Sequence, residues 1–258
     1  MRDFLTQVGS LTLDELTANH GNTVIEGWRS RGLSTHTICT RRKYLKNLLR
    51  HLTDCGAPRS LAERLTKTKT PRPRQTIATS EELKALSGTA TGWLAVWLEI
   101  TAGHGLRFSE AQRLADIHFD AGQQTIKFPT KGGETNELPA TAALQEFFYN
   151  APPTTDAHEP LIERYAGHKL SIFLIRKAWR KLLAKAGCNP NLRPHDLRRT
   201  LAVRSMDSTN DMRVAQHVLG HQSLQTTALY LAHRDPGKIR PLLEELRKWT
   251  PAAGTRPQ

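Results

Sequence analysis

The sequence predicts a mainly α-helical protein with one small antiparallel β-sheet, organised as two domains joined by a basic linker. Three observations carry that prediction. Apolar residues recur at helical spacing over most of the chain, as in Ile38, Leu45, Leu48, Leu49 and Leu52. Short strand-like segments occur only between Ile117 and Pro139. Between residues 66 and 78 the composition changes to Thr, Lys, Arg and Pro, which keeps a chain extended rather than packed. The resulting division is 1–65, a linker at 66–78, and 79–258, and 258 residues are ample for it.

Each element follows from local chemistry. Asp14 to Arg29 reads as a helix broken by Gly32-Leu33-Ser34, after which Ser34 or Thr35 caps a second helix running to about Asp54. Thr79-Ser80-Glu81-Glu82 is a capping box that opens the second domain. A strongly apolar helix follows around Trp93, Leu94, Val96, Trp97 and Ile100. Ser109 is expected to cap a short helix to Ala115. Ile117–Phe119 and Thr125–Phe128 read as strands joined by an Ala-Gly-Gln turn, and Glu137-Leu138-Pro139 ends a third. Thr141–Tyr149 and Ser171–Ala186 are helical, the latter stopped by Gly187, and Pro152–Pro160 is a loop between them. Pro194 suits the first turn of the next helix. Asn210 or Asp211 caps a helix ended by Gly220, Ser223 caps another, and a last segment, Lys238–Trp249, places Ile239, Leu242, Leu243, Leu246 and Trp249 on one face.

The composition narrows the partners. A net charge of +13, with a pI near 10.0, points to a polyanion, nucleic acid before an acidic membrane. Residues 1–78 hold 14 Lys and Arg against 6 Asp and Glu, so this short segment carries +8 of the excess. Arg42, Lys46 and Arg50 recur every four residues, a stripe that reads either as a solvated face or as a phosphate-tracking one. With Arg41, Lys43 and the linker cations Lys67, Lys69, Arg72 and Arg74, they are the candidate DNA contacts. Cys39, Cys55 and Cys188 have neither metal-ligand nor disulfide-framework spacing, which favours a reducing cytosol. No apolar run is long enough to span a bilayer and no signal peptide opens the chain.

The chemistry concentrates in a spaced series of basic residues ending in one tyrosine. The members are Arg107, Lys131 before Gly132-Gly133, His195 and Arg198 in His195-Asp196-Leu197-Arg198, His221 after Leu219-Gly220, and Tyr230. Transfer of a phosphoryl group to a tyrosine needs such a set. Non-bridging oxygens gain negative charge in the pentacoordinate state, and guanidinium forks lower that barrier. A phenol with a pKa of about 10 needs a base and a cationic setting, and His195 is the candidate base. The leaving oxygen needs a proton, which Lys131 in a glycine-rich hairpin turn can supply. Gly220 permits the left-handed turn that aims His221. Leu224, Ala228 and Leu231 form an apolar stripe, and Tyr230 lies off it. Each member alone has a plainer reading: Arg107 capping or pairing with Glu110, Lys131 as a solvated turn, His195 and His221 as structural histidines, Tyr230 as a core or interface residue. His217 and His221 stand four apart as a metal pair would, yet Gly220 interrupts that helix and no third ligand has matching spacing.

The stretches Thr101–Leu114, Lys131–Pro139, His195–Thr200 and Leu219–Tyr230 resemble the catalytic boxes of the tyrosine recombinase (phage integrase) family, in order, over about residues 79–250. Leu106-Arg107-Phe108-Ser109-Glu110 resembles the first-arginine box, Lys131 the β-hairpin lysine, His195 and Arg198 the His-x-x-Arg, His221 the Leu-Gly-His, and Tyr230 the nucleophile. The resemblance implies a two-domain DNA clamp: a helical core-binding domain, here similar only in its second half and shortened at its N-terminus, followed by the catalytic domain. It implies a site-specific DNA recombinase of integrase or resolvase type, working through a 3′-phosphotyrosyl intermediate with conservation of bond energy and no metal or ATP. Implied partners are double-stranded DNA and further copies of the chain: monomeric without DNA, a dimer per site, a tetramer on synapsed sites, with the C-terminal helix docking on a neighbouring protomer. The implied location is the cytoplasm, at the nucleoid. His104 departs from the family pattern by placing bulk before Arg107. A catalytically silent DNA-binding regulator, with Asp211–Tyr230 as a helix–turn–helix, and a type IB topoisomerase are the competing functions.

Overall fold

A computed structural model describes residues 2–58, 61–69, 76–129 and 135–220. The chain divides into two compact units, residues 1–74 and 75–258. The described residues are mostly helical with one three-stranded antiparallel sheet. Among them, no helix is long and apolar enough to cross a membrane.

Among its described residues the first unit holds three helices: α1 (Arg2–Val8), α2 (Ala18–Ser30) and α3 (Thr35–Asp54). α1 is absent from the sequence reading, since seven residues are too few to show a period. Its Phe4 and Val8 nonetheless enter a core with Val24, Ile25, Trp28, Leu45 and Leu49, and Asp3 accepts from Trp28 Nε1 at 2.7 Å and pairs with Arg31 at 2.8 Å. α2 begins four residues later than Asp14. Glu15 closes a turn instead, accepting from Thr12 N at 2.8 Å and from its hydroxyl at 2.9 Å, and Leu16 is buried ahead of the helix. Ser34 caps α3 as expected, accepting from Thr37 N at 3.2 Å.

The expected linker is partly bound at both ends. Asn22 Oδ1 accepts from Thr66 N at 2.7 Å and from its hydroxyl at 3.0 Å, and Cys39 Sγ lies 3.3 Å from Lys69 O. Beyond residues 70–75, which lie outside the described residues, Ala78 N donates to Thr200 Oγ1 of the second unit at 2.8 Å.

The second unit opens with α4 (Ser80–Thr89), whose capping box is closed by Thr79 N to Glu82 Oε2 at 2.9 Å and Glu82 N to Thr79 Oγ1 at 3.1 Å. α5 (Trp93–Leu98) runs into a π-helical turn, Glu99–Gly103, of the kind that often accompanies functional sites. α6 (Phe108–Ala111) follows. Ser109 is not its cap. Glu110 Oε2 accepts the backbone N–H of Arg107 at 2.6 Å, which makes Arg107 the N-cap and moves Ser109 inside the first turn. Ile117 is not in a strand either: residues 116–118 form a 3₁₀ turn tied by Ala115 N to His118 Nδ1 at 3.1 Å, and β1 is only Phe119–Asp120. β2 (Thr125–Pro129) and β3 (Thr135–Pro139) pair antiparallel, with Ile126 opposite Leu138 facing the core and Lys127 opposite Glu137 facing out.

α7 (Ala142–Tyr149) is capped by Thr141, α8 (Leu161–Ala166) is a short helix absent from the sequence reading, and α9 (Ile172–Lys185) is capped by Ser171 and followed by left-handed Gly187. α10 (Pro194–Thr209) and α11 (Met212–Leu219) end the described chain. Trp97 anchors this core, its ring centroid 5.9 Å from Phe108 and 5.7 Å from Trp179 in edge-on contacts. One aromatic cluster therefore sets the Arg107 segment against α9. The segments expected to hold Tyr230 and the C-terminal helix Lys238–Trp249 lie outside the described residues.

Candidate active site

Two of the predicted residues, Arg107 and Arg198, converge on one carboxylate. Arg107 leaves the π-helical turn through Gly105, whose φ of +65° is a left-handed conformation, and an added Cβ there would lie 2.9 Å from Leu201 Cδ2. Glu110 then holds Arg107 twice, through the backbone N–H and through Nη1 to Oε1 at 2.6 Å. The same carboxylate stands 4.0 Å from Arg198 Nη1. Its side chain is 7% exposed and that of Arg198 2%, while Arg107 keeps 31% of its side chain toward solvent. A half-exposed cation and a buried one thus share one buried anion.

Arg198 is placed by α10. Asp196 accepts from Arg193 N at 2.8 Å and fixes the first turn, with Pro194 at its start. One turn on, the Arg198 guanidinium reaches out of the helix: Nη1 donates to Gly105 O and Nη2 to Leu219 O. It braces the residue two before Arg107 and the last residue of α11. Gly220 then caps α11 with φ +55° and ψ +44°, so the chain turns left-handed immediately before His221. The fork expected to grip a phosphate is, in this structure, turned toward two backbone carbonyls.

His195 lies in the first turn of α10, three residues before Arg198, with an exposed edge. Burial of the rest of its ring, then the charges of Arg198, Arg199 and Arg107, outweigh Asp196 and push its pKa below the ordinary histidine value of about 6.5. The imidazole is therefore neutral at pH 7, the state a base requires. Lys131, His221 and Tyr230 lie outside the described residues.

His104, the bulky departure before Arg107, is buried at 3% exposure. It lines no opening: Nδ1 faces Glu99 O at 3.3 Å and Nε2 accepts from Thr141 N at 3.1 Å. A cavity of about 270 Å³ opens beside Glu110, between Leu114, Phe128 and His158, and none of Arg107, His195 or Arg198 lines it.

The candidate DNA contacts fare differently from one another. Lys43 and Arg50 are exposed on α3 and Lys46 partly so. Arg41 is half committed, 3.7 Å from Asp3 and with its guanidinium 5.7 Å from the Trp28 ring centroid. Arg42 is a correction. Its Nε donates to Thr66 O at 2.6 Å and its Nη2 to Leu65 O at 3.1 Å, so it fastens the start of the linker rather than facing a phosphate. The period of four survives along the stripe, but its first member points inward. Lys67 and Lys69 belong to that fastened segment, and Arg72 and Arg74 lie outside the described residues.

Arg107 capping or pairing with Glu110 was open in the sequence, and the structure shows both contacts. One feature escaped the sequence reading. α9 was read only as a helix, yet it contains no acid and exposes Lys177, Arg180, Lys181 and Lys185, with Arg176 stacked 5.9 Å over Phe108. The run Arg176-Lys177-Ala178-Trp179-Arg180-Lys181 was the signal.

Residues 74–236 match the model of the phage integrase family. The chain belongs to that family, the tyrosine recombinases. Tyrosine recombinase XerC of Agrobacterium fabrum is 29% identical over 241 residues, covering 88% of this chain and 75% of the relative. XerC of Listeria monocytogenes serovar 1/2a is 30% identical over 166 residues, covering 58% and 55%. Among solved structures, the Tn1549 transposon integrase in complex with circular intermediate DNA superposes with a TM-score of 0.68 at 19% identity, over 94% of this chain and 90% of that one. The XerH site-specific recombinase bound to a palindromic difH substrate gives 0.68 at 19% identity, over 96% and 76%. At such identities the superpositions speak for the fold.

Proposed function

We propose that this tyrosine recombinase breaks and rejoins duplex DNA at defined sites through a 3′-phosphotyrosyl intermediate, with Tyr230 as nucleophile. The observation that carries the reading is the meeting of Arg107 and Arg198 on one buried carboxylate, with His195 in the field of both arginines. Cations outnumber acids there, so a phosphodiester completes the charge balance.

The roles follow from position. The phenol oxygen of Tyr230 attacks phosphorus, the bond to the 5′ oxygen breaks, and a phosphotyrosyl ester at the 3′ end conserves its energy. Neutral His195 takes the phenol proton and Lys131 gives one to the departing oxygen. Arg107, held from behind by Glu110 and open in front, offers its fork to the non-bridging oxygens. Arg198 contributes fixed charge from a buried position and braces the backbone on both sides of the phosphate seat. His221, delivered by the left-handed Gly220, supplies a further donor.

The first unit grips DNA through Lys43, Lys46 and Arg50 and acts as the core-binding domain, while the exposed cations of α9 track phosphates beside the active site. Together the units form a clamp. The chain binds DNA as a monomer, two copies per site, and synapsed sites assemble a tetramer whose C-terminal helices dock on neighbours.

The test is a duplex nicked next to the scissile position, so that the cleaved strand loses a short piece and cannot religate. A covalent protein–DNA adduct is expected, absent in Tyr230→Phe. An adduct that persists in the phenylalanine variant removes Tyr230 from its role. DNA binding with no adduct in the parent chain returns it to the non-catalytic regulator.

A further inference from the structure

His104 sits three residues before Arg107 and touches nothing in the mechanism above. Its surroundings are nonetheless organised. Nε2 accepts the backbone N–H of Thr141 at 3.1 Å, so this nitrogen carries no proton and Nδ1–H is left to donate to Glu99 O at 3.3 Å. The Thr141 hydroxyl donates to Glu99 Oε1 at 2.7 Å while accepting from Leu144 N at 3.2 Å as the cap of α7. Gly103 makes room for this: an added Cβ would fall 2.4 Å from Glu99 Oε1. Burial lowers the pKa of His104, against the opposing pull of Glu99 O and the Glu99 carboxylate, which fits a neutral ring.

The closed triangle of Glu99, His104 and Thr141 joins two places that matter. One is the π-helical turn and its exit toward Arg107. The other is the end of β3, since Thr141 follows Pro139 by two residues and Ala140 N donates to Gln124 O at 2.8 Å at the base of the β2 strand. β2 and β3 are paired in register from Thr125–Pro139 to Pro129–Thr135, and the connection between Pro129 and Thr135 carries Lys131.

Arg107 has little need of the triangle. Glu110 holds it twice, and Arg198 holds Gly105. The strand pair packs through Ile126 and Leu138 into the same core as Ile100 and Leu106, and the polar ties from Glu99 and His104 set its exit at Thr141 and, from His104, at the backbone of Pro139. We propose that His104, with Glu99 and Thr141, is a positioning residue that registers the β2–β3 hairpin against the arginine loop and so aims the proton donor Lys131 at the leaving oxygen. This rests on the assignment of Lys131 as the acid.

The leaving group makes the proposal testable. With natural DNA the P–O5′ bond breaks only as O5′ takes the proton from the Lys131 ammonium. With sulfur replacing that bridging oxygen, the P–S5′ bond breaks to a thiolate, a far weaker base that departs without a donor. The full chain is assayed on nicked substrates of both kinds, single turnover, with DNA affinity measured in parallel. His104→Leu keeps the bulk and leaves the Thr141 N–H without an acceptor. We expect cleavage of the oxygen substrate to fall on the order of 10²-fold, as for a reactive group misplaced by about an ångström, with affinity within about twofold and the sulfur substrate cleaved near the parental rate. His104→Gln, whose amide oxygen can replace Nε2 as acceptor, should recover most of the lost rate. Thr141→Val removes the hydroxyl limb and should give a milder defect that sulfur also cures, which serves if the leucine variant does not fold.

Lys131→Ala separates the two layers. If sulfur does not restore it, Lys131 is not the acid and that assignment fails. If sulfur restores Lys131→Ala but leaves His104→Leu impaired, or if the leucine variant cleaves the oxygen substrate normally, the proposal about His104 is overturned.

Discussion

Replacing Glu110 tests how the site's charge is held. Glu110→Gln keeps an oxygen for the Arg107 N–H, because glutamine serves the third helical position as glutamate does. What it removes is the charge facing two guanidinium groups, one at 2.6 Å and one at 4.0 Å. At an effective dielectric of about 20, a pair 4 Å apart interacts by about 4 kcal/mol. Recovery of the carboxylate's own desolvation offsets part of that, and Arg107 is partly screened by solvent. A net loss of about 2–4 kcal/mol remains, in line with the cost of leaving a buried cation without its partner. For a unit spanning residues 75–258 that corresponds to a fall in Tm of about 4–15 °C. Glu110→Ala loses the backbone acceptor as well and should fall by about 1 kcal/mol more, the typical worth of a capping bond. Calorimetry on the two variants gives both numbers, and the nicked substrate gives the rate, expected to drop about 10²-fold as Arg107 loses its backing. A glutamine variant that melts within about 2 °C of the parent and cleaves at the same rate refutes the idea that one carboxylate organises both arginines.

Gly105→Ala should destabilise the second unit by about 2–4 kcal/mol, from the left-handed backbone and the 2.9 Å approach to Leu201, read as a Tm shift; a neutral substitution would contradict the geometry. The lowered pKa of His195 places the acid limb of the cleavage rate below pH 6.5, and Arg199→Gln should move that limb upward by removing one of the charges responsible. The same shift gives the sign for stability: below about pH 6.5 the unfolded chain binds this proton before the folded one, so the contribution is intact above that pH and is lost as pH falls through the window, which urea titrations between pH 5 and 7.5 would follow. On α3, Arg50→Ala should reduce the salt slope of DNA binding by about one phosphate contact, whereas Arg42→Ala should leave the slope alone and cost the first unit about 1–3 kcal/mol through its bonds to Leu65 and Thr66; equal slopes for both variants, or a change with Arg42→Ala, would undo the distinction.

What could be read from sequence was whatever local chemistry decides. The caps at Ser34, Thr79 and Asp211, and the helix starts at Thr141 and Ser171, were legible because a short polar side chain and an orphan N–H lie within a few residues of each other. The stops at Gly187 and Gly220 were legible because a left-handed residue is nearly always glycine. The candidate residues Arg107, His195 and Arg198 were legible through their order and spacing, and the structure gathers them. The errors share one cause: a distant or longer side chain took over a local role. Glu110 reached back to make Arg107 the cap in place of Ser109, and His118 closed a turn where Ile117 was expected to extend. Arg42 left its stripe for carbonyls 23 and 24 residues away. The short helices α1 and α8 were invisible because packing, not periodicity, holds them.

The same substitution of long-range for local partners shows how the site can stay cationic without falling apart. Arg198, Arg199 and Arg107 all act on His195 against the one acid Asp196, so like charge accumulates in a half-buried place. Repulsion among them would open a site built only of side chains. Here the most buried guanidinium is tied to backbone, at Gly105 O and Leu219 O, and those carbonyls are fixed by a left-handed glycine on one side and by a helix end on the other. Carbonyl dipoles offset the charge locally without cancelling it at a distance, because a dipole's field falls off faster than that of a charge. The net positive potential therefore survives at the open face near Arg107. A phosphodiester arriving there meets a field set up by the fold in advance, with little reorganisation left for the moment of reaction.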